Sequence, residues 1–242
     1  MIEIRDLHKS FGSNLVLNGI NLDIDTGETL VIIGRSGCGK SVLIKHIVGL
    51  LSPDEGYVKV EGEVVDELNI QSLYKLRTRF GFLFQGAALF DSMTVEENIA
   101  LPLMESKKGF TEGEITNKVA DKLALVGMPG AEKLKPAELS GGMKKRVGLA
   151  RALITDPDYI LYDEPTTGLD PIMSDSIDLQ IKELTEKLNV TSVVVTHDMY
   201  SVKNVANQVA MINEGKIHFT GSAEDLLNSD DPIIKEFIQR TE

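Results

Sequence analysis

The sequence contains one cysteine, no tryptophan and few aromatic residues of any kind. A single cysteine excludes an internal disulfide framework, so a reducing compartment is the expected environment. No signal-peptide core opens the chain, and no apolar run approaches the roughly 20 residues that a membrane-spanning helix needs. These absences predict a chain that is soluble or peripheral to another component.

Positive charge is also scarce, because 25 Lys and Arg residues stand against 37 Asp and Glu residues and the net charge is -12. Nucleic-acid phosphates are bound by clustered Lys and Arg, and the local cluster Lys144-Lys145-Arg146 is too short to reverse the overall charge. We therefore expect no nucleic-acid partner. The length of 242 residues suits one large α/β domain with a substantial core.

One stretch fits the phosphate-binding P-loop template G-x-x-x-x-G-K-[ST] at every fixed position. It reads Gly34-Arg35-Ser36-Gly37-Cys38-Gly39-Lys40-Ser41. A buried strand is predicted before it, at 29–33, and an apolar helix after it, at 42–50. This order of strand, loop and helix disfavours the simpler interpretation of a glycine-rich turn with a chance lysine.

The residue types of this loop suit phosphate chemistry. Its glycines allow positive φ angles that turn backbone N–H groups inward, and the following helix directs its positive dipole end at the same anion. Lys40 supplies a charge for the outer phosphates, and the Ser41 hydroxyl suits a magnesium ion. A thiolate is favoured at this helix N-terminus, but Cys38 is more simply interpreted as a small packed residue.

Three later strands end on polar residues. A strand at 80–84 runs into Gln85, a strand at 159–162 runs into Asp163 and Glu164, and a strand at 191–196 ends at His197. Adjacent carboxylates at the end of a buried strand are costly unless they function; magnesium binding by the first and water activation by the second would explain both. Taken alone, Gln85 could be an ordinary loop residue and His197 a structural histidine, although α/β sheets bind ligands at such strand ends.

The segment between the strands at 80–84 and 159–162 is predicted to be helical. Thr94 and Glu97 form a capping-box pattern at one helix start, and a second glycine-rich site, Leu139-Ser140-Gly141-Gly142-Met143, leads into another helix. Before the P-loop, alternating residues predict an antiparallel lobe. Phe11, beside a glycine turn in that lobe, is either a core residue or a ring that stacks on a nucleotide base.

These motifs, in this order, resemble those of the ATPase subunit of an ABC transporter over nearly the whole chain. They are the P-loop, Gln85, Leu139-Ser140-Gly141-Gly142, Tyr162-Asp163-Glu164, Leu169-Asp170 and His197. The resemblance implies an α/β fold: a P-loop NTPase (RecA-like) core with an antiparallel β lobe and an inserted α-helical signature subdomain. Residues 1–242 would form a single ABC-type ATPase domain, with core and β lobe at about 1–84 and 158–242 and the helical subdomain at about 85–157.

The resemblance also implies ATP hydrolysis with ATP and Mg²⁺ as cofactors. Glu164 would polarise the attacking water, with His197, Lys40 and Gln85 as the other catalytic residues, and the metal would be held by Ser41, Gln85 and Asp163. The implied nucleotide-binding residues are Phe11, which stacks on adenine, Gly34, Arg35, Ser36, Gly37, Cys38, Gly39, Lys40, Ser41, Val42, Ser140, Gly141, Gly142 and Asp170. Since the signature residues of this family meet the ATP held by the other subunit, a head-to-tail dimer of two copies is implied.

The sequence departs from the usual signature motif at its fifth residue, which is Met143 instead of Gln. This departure narrows the resemblance to one subfamily of ABC transporter ATPases. Together with the segment from Phe84 to Val95 and with Glu97-Asn98-Ile99, this form resembles the Mla-type lipid-transport ATPases. That subfamily implies an integral membrane permease, an MCE-domain lipid-binding partner, phospholipid movement between inner and outer membranes, and a peripheral location on the cytoplasmic face of the inner membrane. The stretch Ala87 to Phe90 would then suit a groove for a coupling helix of the permease, although core packing explains it equally well.

Other interpretations stay open at this point. A general importer ATPase with a drifted signature fits the same motifs. A soluble ABC ATPase acting on DNA or ribosomes usually carries paired ATPase units or long coiled-coil insertions, which this sequence lacks. A small-molecule P-loop kinase would lack the signature at Leu139 to Gly142.

Overall fold

The computed structural model describes residues 1–106 and 109–241. The strands are β1 (Ile2–Phe11), β2 (Asn14–Ile24), β3 (Thr29–Ile33), β4 (Glu55–Val60), β5 (Glu63–Val64), β6 (Phe80–Leu83), β7 (Tyr159–Asp163), β8 (Thr191–Val195), β9 (Gln208–Asn213) and β10 (Lys216–Gly221). The helices are α1 (Lys40–Ile47), α2 (Ile70–Arg77), α3 (Val95–Met104), α4 (Glu112–Leu125), α5 (Gly141–Leu153), α6 (Pro171–Leu188), α7 (Met199–Val205), α8 (Ala223–Leu227) and α9 (Pro232–Thr241). Two 3-10 turns, Val65–Glu67 and Pro136–Glu138, are also present.

The strands form two sheets. The larger has the order β10-β9-β3-β8-β7-β6; its pairs are parallel from β9 to β6, and β10 joins β9 antiparallel at the edge. The smaller, with the order β2-β1-β4-β5, is antiparallel throughout. It is the lobe that the alternating N-terminal pattern predicts.

The larger sheet is covered on both faces, so the molecule has two cores. Leu30 and Ile32 of β3 pack with the small sheet and α1, whereas Val31 and Ile33 pack into the core that contains residues of α3 to α9. Burying a side chain of this size contributes about 1.5–3 kcal/mol. The central strands are therefore a rigid frame for the loops at their carboxyl ends.

Helices α3, α4 and α5 are inserted between β6 and β7 and share a core through Ile99, Leu123 and Val147. The predicted capping box of α3 is confirmed: the Glu97 N–H donates to the Thr94 hydroxyl, and the Glu97 carboxylate accepts from the Thr94 N–H at 2.7 Å. Each such cap stabilises a helix start by about 1 kcal/mol. This insertion carries the glycine-rich signature at the start of α5.

Some details differ from the sequence predictions. Helix α1 (Lys40–Ile47) ends three residues before the predicted end at Leu50, because Gly49 adopts a left-handed conformation with φ 62° that terminates a helix. The short elements α2, α7, α8 and β5 were not predicted. Within 87–90, Ala87 is fully buried whereas Phe90 is half-exposed, so core packing accounts for the first residue and not for the second.

None of the helices in the described ranges combines the length and the apolarity that crossing a bilayer requires.

Candidate active site

The P-loop connects β3 to α1 and needs its glycines. Gly34, Gly37 and Gly39 have φ angles of 151°, 79° and 105°, which L side chains rarely adopt. A Cβ on Gly34 would also lie 2.4 Å from the Ile212 carbonyl oxygen and 2.6 Å from Cys38 Sγ. The predicted glycine conformations are therefore confirmed, and the loop leads directly into the N-terminus of α1.

Lys40 lies beneath this loop rather than in solvent. Its ammonium donates to the carbonyl oxygens of Gly34 at 2.7 Å and Arg35 at 3.3 Å, and its side chain is 6% exposed. The nearest carboxylate oxygen, Glu164 Oε1, is 3.8 Å from Nζ. A positive charge is thus held between the loop and the carboxylates that follow β7.

Ser41 and Asp163 face each other across the junction of α1 and β7. The Ser41 hydroxyl donates to Asp163 Oδ1 at 2.7 Å, and Asp163 is buried. Hydroxyl and carboxylate oxygens are the ligands that Mg²⁺ prefers. The described residues contain no cluster of three His, Cys, Asp or Glu side chains that would form a metal cage by themselves, and Mg²⁺ in phosphate sites takes only one or two protein ligands beside phosphate and water.

Glu164 is held in one orientation. Its backbone has φ 52° and its N–H donates to the Val195 carbonyl of β8 at 2.9 Å. One side-chain oxygen, Oε2, accepts from His197 Nδ1 at 2.8 Å and from the Thr167 hydroxyl at 2.9 Å. The other oxygen, Oε1, lies 3.8 Å from the Lys40 ammonium.

The strand-end residues predicted from the sequence come together. A cavity of about 500 Å³ is lined by Gln85, Glu164 and His197, by Arg35 and Ser36 of the P-loop, and by Phe237, Arg240 and Thr241 of α9. This convergence follows from the order β3-β8-β7-β6, which puts four loops side by side at one edge of the sheet. Arg35 also pairs with Glu236 of α9 at 2.7 Å.

The signature residues do not join this cavity. Ser140 caps α5, its hydroxyl accepting from the Met143 N–H at 3.3 Å, and Gly141 is exposed beside it. Within the described ranges no hydrogen bond or ion pair links Ser140, Gly141 or Gly142 to the P-loop. The N-terminus of α5 therefore lies exposed outside this cavity, and helix N-termini in general favour anions.

The structure also shows the surroundings of three further residues that the resemblance implies bind nucleotide. Phe11 ends β1 with its ring 48% exposed and the Lys9 ammonium 5.8 Å from the ring centroid, so it is not a core residue. Val42, on the first turn of α1, is half-buried. Asp170 caps α6 by accepting from the Met173 N–H at 3.1 Å, and this structural role engages Oδ1 of the carboxylate.

Lys145 was missed as a site residue. It is buried on α5, and its ammonium donates to the backbone carbonyl oxygens of Gln85 and Glu164, the latter at 3.0 Å. Burial lowers the pKa of Lys145 to about 8, against the opposing effect of Glu164 and Asp163. The sequence shows only one lysine of a basic triplet, and nothing in the local pattern reveals which of the three is buried.

This fold and this set of loops define a P-loop ATPase with a separate glycine-rich signature helix. The family profile described as ABC transporter matches residues 17–167, and the chain belongs to the ABC transporter ATPase family. The family recognised in the sequence and the predicted fold class are confirmed.

Two relatives are similar in sequence to almost the whole of this chain. The chain is 43% identical to the probable ribonucleotide transport ATP-binding protein mkl of Mycobacterium leprae, over 98% of this chain and 68% of the relative. It is 40% identical to the intermembrane phospholipid transport system ATP-binding protein MlaF of Haemophilus influenzae, over 99% of this chain and 90% of the relative. The two relatives carry different cargo names, so similarity alone establishes an ABC transporter ATPase and no particular cargo.

A solved structure agrees with this assignment. An ATP-binding cassette in a dimeric post-hydrolysis state, bound to ADP and Pi, superposes with a TM-score of 0.84 at 30% identity, covering 92% of this chain and 99% of that one.

Proposed function

We propose that the chain is the ATP-hydrolysing subunit of a transporter that moves phospholipid between the inner and outer membranes. The observation that carries the hydrolytic part is the arrangement of Glu164, whose carboxylate is fixed by His197 and Thr167 beside the Lys40 ammonium. The signature residue Met143 and the similarity to MlaF support the lipid cargo. An importer of another solute is the alternative.

In this proposal the P-loop amides and Lys40 bind the phosphates of ATP, and Phe11 stacks on the adenine. Glu164 Oε1 takes the proton of the attacking water, while His197 holds the carboxylate and contacts the terminal phosphate. Ser41, Asp163 and Gln85 would hold Mg²⁺, which neutralises charge on the phosphates when bound.

We further propose that two copies pair head to tail. In this pair, Ser140, Gly141 and Gly142 would bind the nucleotide held by the P-loop of the partner copy, because they lie outside the cavity beside their own P-loop. Hydrolysis is then coupled to closure of the pair. Residues 1–242 act as one ATPase domain, with the helical subdomain at about 85–157 receiving a membrane permease. The subunit would lie on the cytoplasmic face of the inner membrane, with an MCE-domain lipid-binding protein as a further partner and no nucleic acid.

The first prediction tests the role of Glu164. We expect Glu164→Gln to bind ATP as wild type does and to lower the hydrolysis rate at least about hundredfold, because a positioned general base contributes 10²- to 10⁴-fold. ATP affinity is measured by equilibrium binding and turnover by phosphate release. Glu186→Gln, which changes an exposed carboxylate on α6, is the matched control and should hydrolyse ATP at the wild-type rate. Undiminished turnover in Glu164→Gln would remove Glu164 from the base role.

The partners are tested by purifying the tagged chain from native membranes and identifying the proteins and lipids that accompany it. We expect a multi-span permease, an MCE-domain protein and phospholipid. A permease with a solute-binding protein of another type would contradict the lipid cargo, and a monomer bound to ribosomes would contradict the transport function itself.

A further inference from the structure

The buried ammonium of Lys145 connects helix α5 with the two segments that carry Gln85 and Glu164. It lies on the second turn of α5, directly after the signature residues, and only 4% of it is exposed. Its Nζ donates to the Glu164 carbonyl oxygen at 3.0 Å and to the Gln85 carbonyl oxygen. These two acceptors lie 19 and 60 residues away in the chain, so the contact exists only in the folded molecule.

A buried lysine at this position is energetically unfavourable unless its partners need it. Neutral carbonyl partners only partly offset the cost of removing an ammonium from water, and the pKa of Lys145, lowered to about 8 mainly by burial, reflects that cost. A methionine of similar length would fill the same space without a charge. The position of Lys145 therefore indicates that holding the two carbonyls matters more than local stability.

Both carbonyls belong to backbone segments in unusual conformations. Glu164 has φ 52°, and the loop that begins at Gln85 contains Ala87 and Ala88 with φ 59° and 48°. Left-handed conformations are unfavourable for non-glycine residues, so they persist only where other contacts hold them. Arg151, on the same helix as Lys145, donates to the Ala88 carbonyl at 2.8 Å and to the Ala87 carbonyl at 2.5 Å.

Helix α5 approaches these segments closely because of Gly148. A Cβ at Gly148 would lie 2.8 Å from Leu83 Cδ1 and 3.1 Å from the Ala87 Cβ. The helix therefore packs directly on the end of β6 and on the Gln85 loop, with Lys145 and Arg151 as its two polar attachments. A shift of α5 would be transmitted to both Gln85 and Glu164.

We propose that Lys145 is a positioning residue that ties Gln85 and Glu164 to the signature helix. Contact made at Ser140, Gly141 and Gly142 is then passed to the hydrolysis site of the same chain. This inference rests on the proposed function, since it assigns to Lys145 the orientation of the groups that act there. The side chain of Lys145 touches neither nucleotide nor metal in this role.

The test compares the hydrolysis kinetics of three variants of the full chain. Lys145→Met should lower kcat about tenfold to hundredfold, as expected for a small misplacement of reacting groups, with KM for ATP changed less than about threefold because the P-loop is intact. Lys145→Arg, which keeps a buried donor of fixed charge, should recover kcat to within about fivefold of wild type. Lys122→Met is the matched control: it removes a mostly covered ammonium that pairs with Asp156, and kcat should be unchanged.

A second substitution keeps the test decisive if Lys145→Met does not fold. If Lys145→Met does not fold by circular dichroism, Lys145→Gln, which keeps an N–H donor without charge, should fold and show a kcat between those of wild type and Glu164→Gln. The inference is wrong if folded Lys145→Met retains wild-type kcat, if Lys145→Arg is as impaired as Lys145→Met, or if KM rises while kcat is unchanged. In each of these cases the proposed function stands as long as wild type hydrolyses ATP and Glu164→Gln does not; absence of hydrolysis in wild type would overturn both.

Discussion

Cys38 illustrates at the scale of one residue how packing opposes a local electrostatic effect. Of the two interpretations of Cys38, a favoured thiolate and a small packed residue, the structure supports the second. Burial raises the pKa of the Cys38 thiol, with the nearby Lys40 opposing the shift only in part. The sulfur packs against the backbone of Gly34, where a charged form would lose much of its hydration.

The alkylation of Cys38 should therefore depend on pH differently in the folded and unfolded chain. We expect the rate with iodoacetamide to keep rising above pH ~8.5, the ordinary cysteine value, in the folded protein, and to level off near that value in denaturing urea. The measurement is the second-order rate constant across pH, with the thiolate as the reacting form. A folded-state rate that levels off near pH ~7 would show an activated thiolate instead.

At the scale of elements, the contact between α6 and α7 contains an unusual carboxyl group. Asp178 on α6 is fully buried, and within the described part of the chain neither of its carboxylate oxygens has a hydrogen-bond partner. Burial raises the pKa of Asp178 to about 7; a nearby Ser201 hydroxyl opposes the shift, and the charges of Asp198 and Asp175 add to it. The carboxyl group is therefore protonated in the folded state at pH values where the unfolded chain is ionised.

This raised pKa gives a pH-dependent stability with a definite sign. Between about pH 4 and pH 7 the folded state binds more protons than the unfolded state, so the free energy of unfolding falls as pH rises through this window. Asp178→Asn removes the titration, and the stability of the variant relative to wild type should increase by up to about 1.4 kcal/mol per pH unit there. Urea unfolding at several pH values between 5 and 8 measures the difference.

The exposed Glu186 on the same helix provides the control. Glu186→Gln should differ from wild type by a nearly constant free energy across this pH range. An equally constant difference for Asp178→Asn would show that the Asp178 carboxyl titrates at its ordinary pKa.

At the scale of the whole molecule, the P-loop and the proposed signature surface lie in different places. Arg35 and Ser36 of the P-loop line one cavity together with Glu164, whereas Ser140 and Gly141 are exposed at the start of α5. In the proposed function, each chain thus carries two incomplete halves of a nucleotide site. The proposed head-to-tail pairing of two chains would complete both at once.

We expect Glu164→Gln to form a dimer when ATP and Mg²⁺ are added, because nucleotide that is not hydrolysed keeps the two halves closed. Size-exclusion chromatography with light scattering gives the mass directly. Adding Ser140→Arg to this background should abolish the ATP-dependent dimer by steric conflict at the signature surface. Glu63→Arg, on the edge strand β5 of the small sheet, should leave it intact; an ATP-dependent dimer in the Ser140→Arg variant would contradict the head-to-tail arrangement.

Much of the candidate site was predictable because its residues stand close together in the sequence, in short motifs that follow a recognisable order. The P-loop glycines, Asp163 with Glu164, and the signature before α5 each carry their residue types in adjacent positions, and capping at Thr94 is likewise a local pattern. Short elements such as α7 and α8 have too few turns for a periodic pattern. Their formation depends on packing against the core through residues such as Val202 and Leu226.

The sequence by itself determined the family, the order of strands and helices around the P-loop, and the residues that are proposed to bind phosphate. Only the tertiary structure decided which polar groups are buried and what they touch. Lys144 and Lys145 are identical in type and adjacent in the chain, yet only Lys145 is buried and reaches Gln85 and Glu164. The physical reason is that burial depends on the packing of α5 against β6 and the strand-end loops, and these contacts join residues far apart in sequence.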